Sequence, residues 1–194
     1  MAKEIERQFA LDGEPTSEQI ITELTRLNNE AGFTGEITMK YTEDQYTSYL
    51  YTGPVQVRVR KIVRGNRKPI YRLTIKGGYE KRTTRTEVET NITEEQYEEI
   101  LSIIGNDVEP IRKRCAILRV GKKGRDINIS TVDPGKDTSF TFAEVEFDSE
   151  KEAEEFEWPL KGIKAYDVTG RTGVNPGKSM SMTEYWEKVH LSKT

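Results

Sequence analysis

The chain has 194 residues, enough for one domain with a real core, and 32% of it is charged, yet the net charge is only -3. That balance leaves no global field to recruit nucleic acid or an anionic membrane, so a polyanion must be held by a local cluster. One cysteine, Cys115, excludes an internal disulfide, and one histidine, His190, excludes Ser-His-Asp and Cys-His catalysis and a Cys/His zinc site.

Taken in chain order, alternation over residues 3–9 predicts a first strand. Ser17 to Ala31 reads as a helix, with Ile20, Ile21, Leu24 and Leu27 at helical spacing. A short strand is expected around Tyr46 to Tyr51, and another from Val55 to Lys61. Tyr71 to Lys76 and Thr84 to Thr90 alternate in the same way. Thr93 and Gln96 form a capping box before Tyr97, Ile100, Leu101 and Ile104, and Gly105 stops that helix. Strands follow at Ile111 to Arg119, Asp126 to Val132 and Phe140 to Phe147. Ser149 with Glu152 forms a second capping box before Ala153 and Phe156, and a strand is expected near Ala165 to Thr169. Met182 to His190 closes the chain as a helix with Tyr185, Trp186 and Val189 inward. Strands in hairpins with helices between them predict one α+β domain over residues 1–194, built on an antiparallel sheet.

No apolar run reaches the ~20 residues of a membrane span. Met1 to Phe9 lacks a signal-peptide hydrophobic region. With a lone cysteine, these features predict a cytoplasmic protein that binds no membrane and no nucleic acid.

The informative feature is the second face of each strand, where residues two apart share a side. Glu4 and Glu6 share one, with Gln8 beyond; Glu144 and Glu146 share another. Arg58 and Arg60, Arg72 and Lys76, and Arg112 and Arg114 make basic faces, while Arg85, Glu87 and Glu89 share a mixed one. A solvated face normally mixes signs, because like charges side by side destabilise a sheet. Paired carboxylates suit divalent cations held by oxygen, and paired basic residues suit phosphates. Both sets on one surface predict a metal–polyphosphate site, placed inside if the sheet closes on itself with its apolar faces out against the helices. Alternation predicts Arg112 and Arg114 on that inner surface, with Lys113 outside.

These motifs together resemble the CYTH superfamily, the triphosphate tunnel metalloenzymes. Glu4-Ile5-Glu6-Arg7 resembles its opening ExExK motif, with Gln8 where lysine is expected. Val57-Arg58-Val59-Arg60, Leu73-Thr74-Ile75-Lys76-Gly77, Arg85-Thr86-Glu87-Val88-Glu89, Arg112-Lys113-Arg114, Asp133 and Glu144-Val145-Glu146 follow in family order, and Asp167-Val168-Thr169 looks like the final strand. The resemblance spans nearly the whole chain. It implies a closed eight-stranded antiparallel β-barrel, or tunnel, with helices packed outside. It implies magnesium or manganese held by Glu4, Glu6, Glu144, Glu146 and Asp133. Arg58, Arg60, Lys76, Arg85, Arg112 and Arg114 would bind a triphosphate, with Glu4, Glu6, Lys76 and Arg58 catalytic and Glu87, Glu89 and Gln8 supporting. The implied activity is hydrolysis of tripolyphosphate, a nucleoside triphosphate such as ATP, or thiamine triphosphate. The alternatives are class IV adenylate cyclase, making cyclic AMP and pyrophosphate, and a binding protein without turnover, the reading that Gln8 keeps open. Members of the family are often dimers, which implies a homodimer here.

Residues 170–179 read GRTGVNPGKS, but Thr172 stands where a phosphate loop needs glycine. Cys115 is expected to be a small packed residue.

Overall fold

The computed structural model describes residues 3–30, 36–79, 84–105, 108–121, 125–170 and 181–191, and for Glu4 and Arg85 it describes the backbone. The strands are β1 (Lys3–Leu11), β2 (Glu36–Tyr51), β3 (Gln56–Val63), β4 (Ile70–Tyr79), β5 (Thr84–Ile92), β6 (Ile111–Gly121), β7 (Arg125–Val132), β8 (Phe140–Glu146) and β9 (Ala165–Asp167). The helices are α1 (Ser17–Asn29), α2 (Glu94–Ile104), α3 (Glu150–Glu154) and α4 (Met182–Tyr185), which runs on as a π-helical turn over Trp186–His190. Thr16, Thr93 and Ser181 cap α1, α2 and α4 through reciprocal capping boxes, whereas at α3 only the Ser149 side chain caps, accepting from the Glu152 amide, in place of the expected box. Each satisfies amide donors that a helix start would otherwise leave bare. Among the described residues no helix is long and apolar enough to cross a membrane.

The sheet is antiparallel and has nine strands, in the order β5-β4-β3-β2-β6-β7-β8-β1-β9. This corrects the expected eight. β1 also pairs with β5, through Lys3↔Thr86, Glu4↔Arg85 and Ile5↔Thr84. The first strand thus serves three neighbours: β5 and β9 at its two ends, and β8 through Glu6↔Glu146 and Gln8↔Glu144.

β2 differs most from expectation, running 16 residues rather than about six. A register shift between Met39 and Tyr41 divides it. Ile37 packs into the core beneath α1, yet Tyr41, of the same parity, lines the cavity on the other face. A bulge adds one residue and so exchanges the faces. Simple alternation therefore misses the first half of this strand.

Three apolar clusters hold the sheet. Leu118, Val120, Ile127, Ala143 and Val145 pack against Ile20 and Leu27 of α1 and Ala153 of α3. Val59 and Tyr71 pack against Tyr97 of α2. A third cluster joins Ala10, Tyr49, Ile111, Val132 and Phe142 with Tyr185 and Trp186 of the C-terminal helix. Trp186 is fully buried there, so this cluster fills one end of the sheet's inner face.

Candidate functional site

The strand faces opposite the helices enclose a cavity of about 820 Å³. Arg58 and Arg60 of β3 and Arg72 and Lys76 of β4 form one wall. Glu6 of β1 and Glu144 and Glu146 of β8 form another, with Glu87 and Glu89 of β5 between. Period-two geometry places them so: Val57 and Val59 turn to the outer face, and Arg58 and Arg60 are forced inward. Most of the predicted site residues therefore meet on one surface.

Several basic groups are tied to carboxylates across neighbouring strands. Lys76 Nζ lies 2.6 Å from Glu87 Oε2. Arg72 pairs with Glu89, which also accepts from Thr74 Oγ1 at 3.1 Å. Arg64 Nε donates to Glu43 at 2.6 Å and Arg119 Nε to Asp126 at 2.8 Å.

Arg58 and Arg60 differ. Among the described residues no ion pair joins either to a carboxylate, and Arg58 Nε is buried without a hydrogen-bond partner. Arg60 Nε reaches only Thr47 Oγ1, at 3.3 Å. Burial, and then the neighbouring Arg58 charge, push Arg60 down to about 10. Burial also acts to lower Arg58, but the Tyr49 phenol, Glu87 and Glu144 outweigh it and raise that group. Burial would raise Tyr49, yet the positive charges of Arg58, Lys113 and Arg60 hold the phenol below its usual value. The floor of the cavity is a crowded cationic cluster, with the Tyr49 phenol, Glu87 and Glu144 as its nearest balancing groups among the described residues.

On the acidic wall, Gln8 Nε2 donates to Glu6 Oε1 at 3.2 Å and to Glu144 Oε1 at 3.3 Å. The amide thus bridges the two carboxylates on which the opening and closing acidic motifs converge. Among the described residues no group of three or more His, Cys, Asp or Glu side chains forms a metal-binding cluster.

Three predicted placements are corrected. Arg112 turns outward to Asp44, at 3.0 Å, and Arg114 to Glu14, at 3.3 Å. Lys113 faces inward instead and is buried over the Phe142 ring. Burial lowers its pKa against the pull of Glu144. The reason is apolar parity: Leu118 and Val120 belong to the core beneath α1, so even-numbered residues of β6 face out and odd-numbered ones face in. Ile111 and Ile117 accordingly lie inside, although alternation assigned them to the apolar exterior.

Asp133 does not line the cavity either. It adopts φ of 43° and its carboxylate is buried at the foot of the C-terminal helix. Tyr185 Oη and His190 Nε2 each donate at 2.8 Å and the Arg112 amide at 2.9 Å. Its oxygens are used in anchoring that helix, and it is not among the residues lining the cavity.

Glu4 and Arg85 are cross-strand partners in the β1–β5 ladder; their side chains lie outside the described residues. So do residues 171–180, which include Arg171, Lys178 and most of the phosphate-loop-like run. Cys115 is buried beside Ser130, and burial pushes its thiol up to about 11, as suits a packed residue.

Sequence reading missed Lys113, Tyr49 and the Tyr41–Arg64 pair. The Ala116, Leu118, Val120 alternation carried the signal for Lys113. Tyr49 and Tyr41 had none, since both lie on a strand whose parity changes at a bulge.

No family model matches the chain, and no curated protein matches it. Solved structures do. The PH1819 protein from Pyrococcus horikoshii OT3 is 22% identical, with a TM-score of 0.52 over 78% of this chain and 82% of that one. A candidate adenylyl cyclase from Hippeastrum, described as having a dominant triphosphatase activity, is 14% identical, with the same TM-score and the same shares. At these identities the likeness is one of fold: this chain shares an antiparallel-sheet architecture with a protein described as a triphosphatase.

Proposed function

We propose that the chain is a member of the CYTH superfamily, that the β1–β5 ladder closes the sheet into a tunnel with β9 as an added strand outside the ring, and that the cavity binds a triphosphate and hydrolyses it. The observation that carries this is the opposition of walls, with Arg58, Arg60, Arg72 and Lys76 facing Glu6, Glu144 and Glu146. Crowded, half-buried arginines suit a polyanion, which they grip by charge-assisted, bidentate bonds.

The charge balance adds a requirement. Eight carboxylates and seven basic groups are among the described lining residues, so the walls alone do not neutralise a triphosphate. Accompanying cations would make up the difference. The acidic wall offers only oxygen donors, and the Glu6 and Glu144 oxygens already converge on one hydrogen-bond donor, Gln8 Nε2. Such a set fits magnesium or manganese. Glu6, Glu144 and Glu146, with Glu4, would hold the ion, which supplies charge neutralisation and a more acidic bound water.

The chain's own residues do the rest. Arg58 and Arg60 hold the phosphates at the floor. Lys76, fixed by Glu87, and Arg72, fixed by Glu89, orient the chain of phosphates along β4. Phosphoryl transfer needs little more than such positioning and charge stabilisation. The fold shared with the Hippeastrum triphosphatase supports hydrolysis as the reaction.

The test is incubation with tripolyphosphate, ATP and thiamine triphosphate, with magnesium and then manganese. Orthophosphate is the expected product. Pyrophosphate with cyclic AMP would establish a cyclase instead, and binding without product would establish sequestration. Unchanged turnover in both Glu144→Gln and Arg58→Ala would sink the mechanism.

A further inference from the structure

Gln8 is the uncharged member of the acidic wall, and its surroundings give that neutrality a use. The residue is buried and does not line the cavity, whereas Glu6 and Glu144 do. Its amide therefore sits behind the two carboxylates. Nε2 donates to Oε1 of Glu6 at 3.2 Å and to Oε1 of Glu144 at 3.3 Å. These bonds take one oxygen of each carboxylate.

The donor is held still by its own backbone. Gln8 is the cross-strand partner of Glu144 in the β1–β8 ladder. On the other edge of β1, the Gln8 N–H donates to Thr169 Oγ1 at 3.1 Å, and the Gln8 carbonyl accepts from the Val168 amide at 2.9 Å. Asp167 fixes this segment in turn, accepting from the Thr169 amide at 2.8 Å and from Arg7 at 3.0 Å. Residue 8 is thus clamped from both sides, where β1 passes from pairing with β5 to pairing with β9. A clamped backbone fixes where the side chain starts, so its amide can hold two carboxylates from opposite ends of the chain in one place.

Charge decides what the arrangement serves. Two ionised carboxylates repel, and a shared donor keeps them together. An amide does this without cancelling either charge. An ammonium in the same place would hold them equally well and neutralise one of them. With the amide, Gln8 leaves the charge of the pair to a cation that can come and go. Hydrogen bonds from behind orient carboxylate ligands and tune their affinity for a metal.

We propose that Gln8 is a positioning residue, which sets Glu6 and Glu144 side by side for a divalent ion and, being neutral, makes triphosphate binding depend on that ion. This rests on the metal–triphosphate reading above.

Two titrations of the full chain test it: manganese alone, followed by electron paramagnetic resonance, and diimidotriphosphate, followed by calorimetry with and without manganese. Gln8→Met keeps the side-chain length and removes the donor. Gln8→Lys keeps a donor and adds charge, and it carries the test if Gln8→Met fails to fold. Both are expected to weaken manganese binding about tenfold or more. They should part in the metal-free titration. Gln8→Lys should bind diimidotriphosphate about tenfold more tightly than the wild type, the scale of one added charge-assisted bond, whereas Gln8→Met should show no gain. A side chain that merely fills space would leave manganese affinity unchanged in Gln8→Met, and that result overturns the proposal. Tighter manganese binding in Gln8→Met also overturns it, since Gln8 would then compete with the ion. So does a Gln8→Lys protein with no gain in metal-free binding. In each case, wild-type binding of diimidotriphosphate with manganese leaves the triphosphate reading standing. Failure of the wild type to bind that probe with manganese overturns both.

Discussion

Arg60 offers the sharpest test of a cavity built to hold a polyanion. Burial and the neighbouring Arg58 charge depress it from the usual arginine range to about 10. At 1.36 kcal/mol per unit, that corresponds to a cost on the order of 3 kcal/mol for keeping it protonated. A base with a depressed folded-state pKa destabilises the fold wherever it is charged, so the penalty is present at neutral pH and fades only as pH rises above about 10. Cavity water screens part of it, leaving roughly 1 kcal/mol. Arg60→Gln keeps a hydrogen-bonding group near Thr47 and removes the charge. The ligand-free variant is expected to melt about 2–4 °C above the wild type. The ligand response should move the other way. Tripolyphosphate with magnesium at a hundred times its Kd stabilises the wild type by about 2.7 kcal/mol, roughly 5–11 °C. Losing one charge-assisted contact of about 1.5–3 kcal/mol should remove most of that shift in the variant. Scanning calorimetry with and without ligand reads both effects. A variant that melts several degrees below the wild type and keeps the full ligand shift would refute the reasoning.

The orientation of β6 is checked by a pair of substitutions. Lys113→Met should lower triphosphate turnover about tenfold or more, because the buried ammonium lies beside Arg60 and Glu144, whereas Arg114→Ala on the outer face should leave turnover near wild type. Asp133→Asn should cost roughly 3 kcal/mol, the scale for breaking a buried pair, and lower the melting temperature by about 6–12 °C. Both ring nitrogens of His190 face acceptors, Glu109 O at 2.6 Å and Asp133 Oδ2 at 2.8 Å. Burial acts to raise the Asp133 pKa, but the His190, Tyr185 and Arg112 amide hydrogen bonds hold it below 3.8. A depressed carboxyl stabilises above the unfolded value and loses that contribution as pH falls through the folded one. The wild type should therefore lose stability on acidification below about pH 4, and Asp133→Asn should lose less over the same window. Equal acid sensitivity in the two proteins would contradict this role.

The strand faces were legible because alternation is a local property of the backbone. Glu6 with Gln8, Arg58 with Arg60, Arg72 with Lys76, and Glu144 with Glu146 could be sorted with no knowledge of what they face. The capping boxes at Thr93 and Ser181 are equally local, although only the first was read. What alternation could not supply was its own origin. On β6 two parities compete, Arg112 and Arg114 against Lys113, and packing of Leu118 and Val120 beneath α1 decides between them. On β2 the bulge between Met39 and Tyr41 exchanges faces partway along, and no residue type marks it.

By itself, then, the sequence determined an antiparallel α+β chain whose strands carry segregated acidic and basic faces, because period-two geometry and charge repulsion act between near neighbours. The tertiary structure decided which faces meet. It joined β1 to β5 as well as to β8, and it brought Glu6 and Glu144 together on the Gln8 amide. It crowded Arg58 and Arg60 at the cavity floor, and it removed Asp133, Arg112 and Arg114 from the inner surface. Those outcomes depend on register and on competition for burial among residues far apart in the chain, which no local pattern encodes.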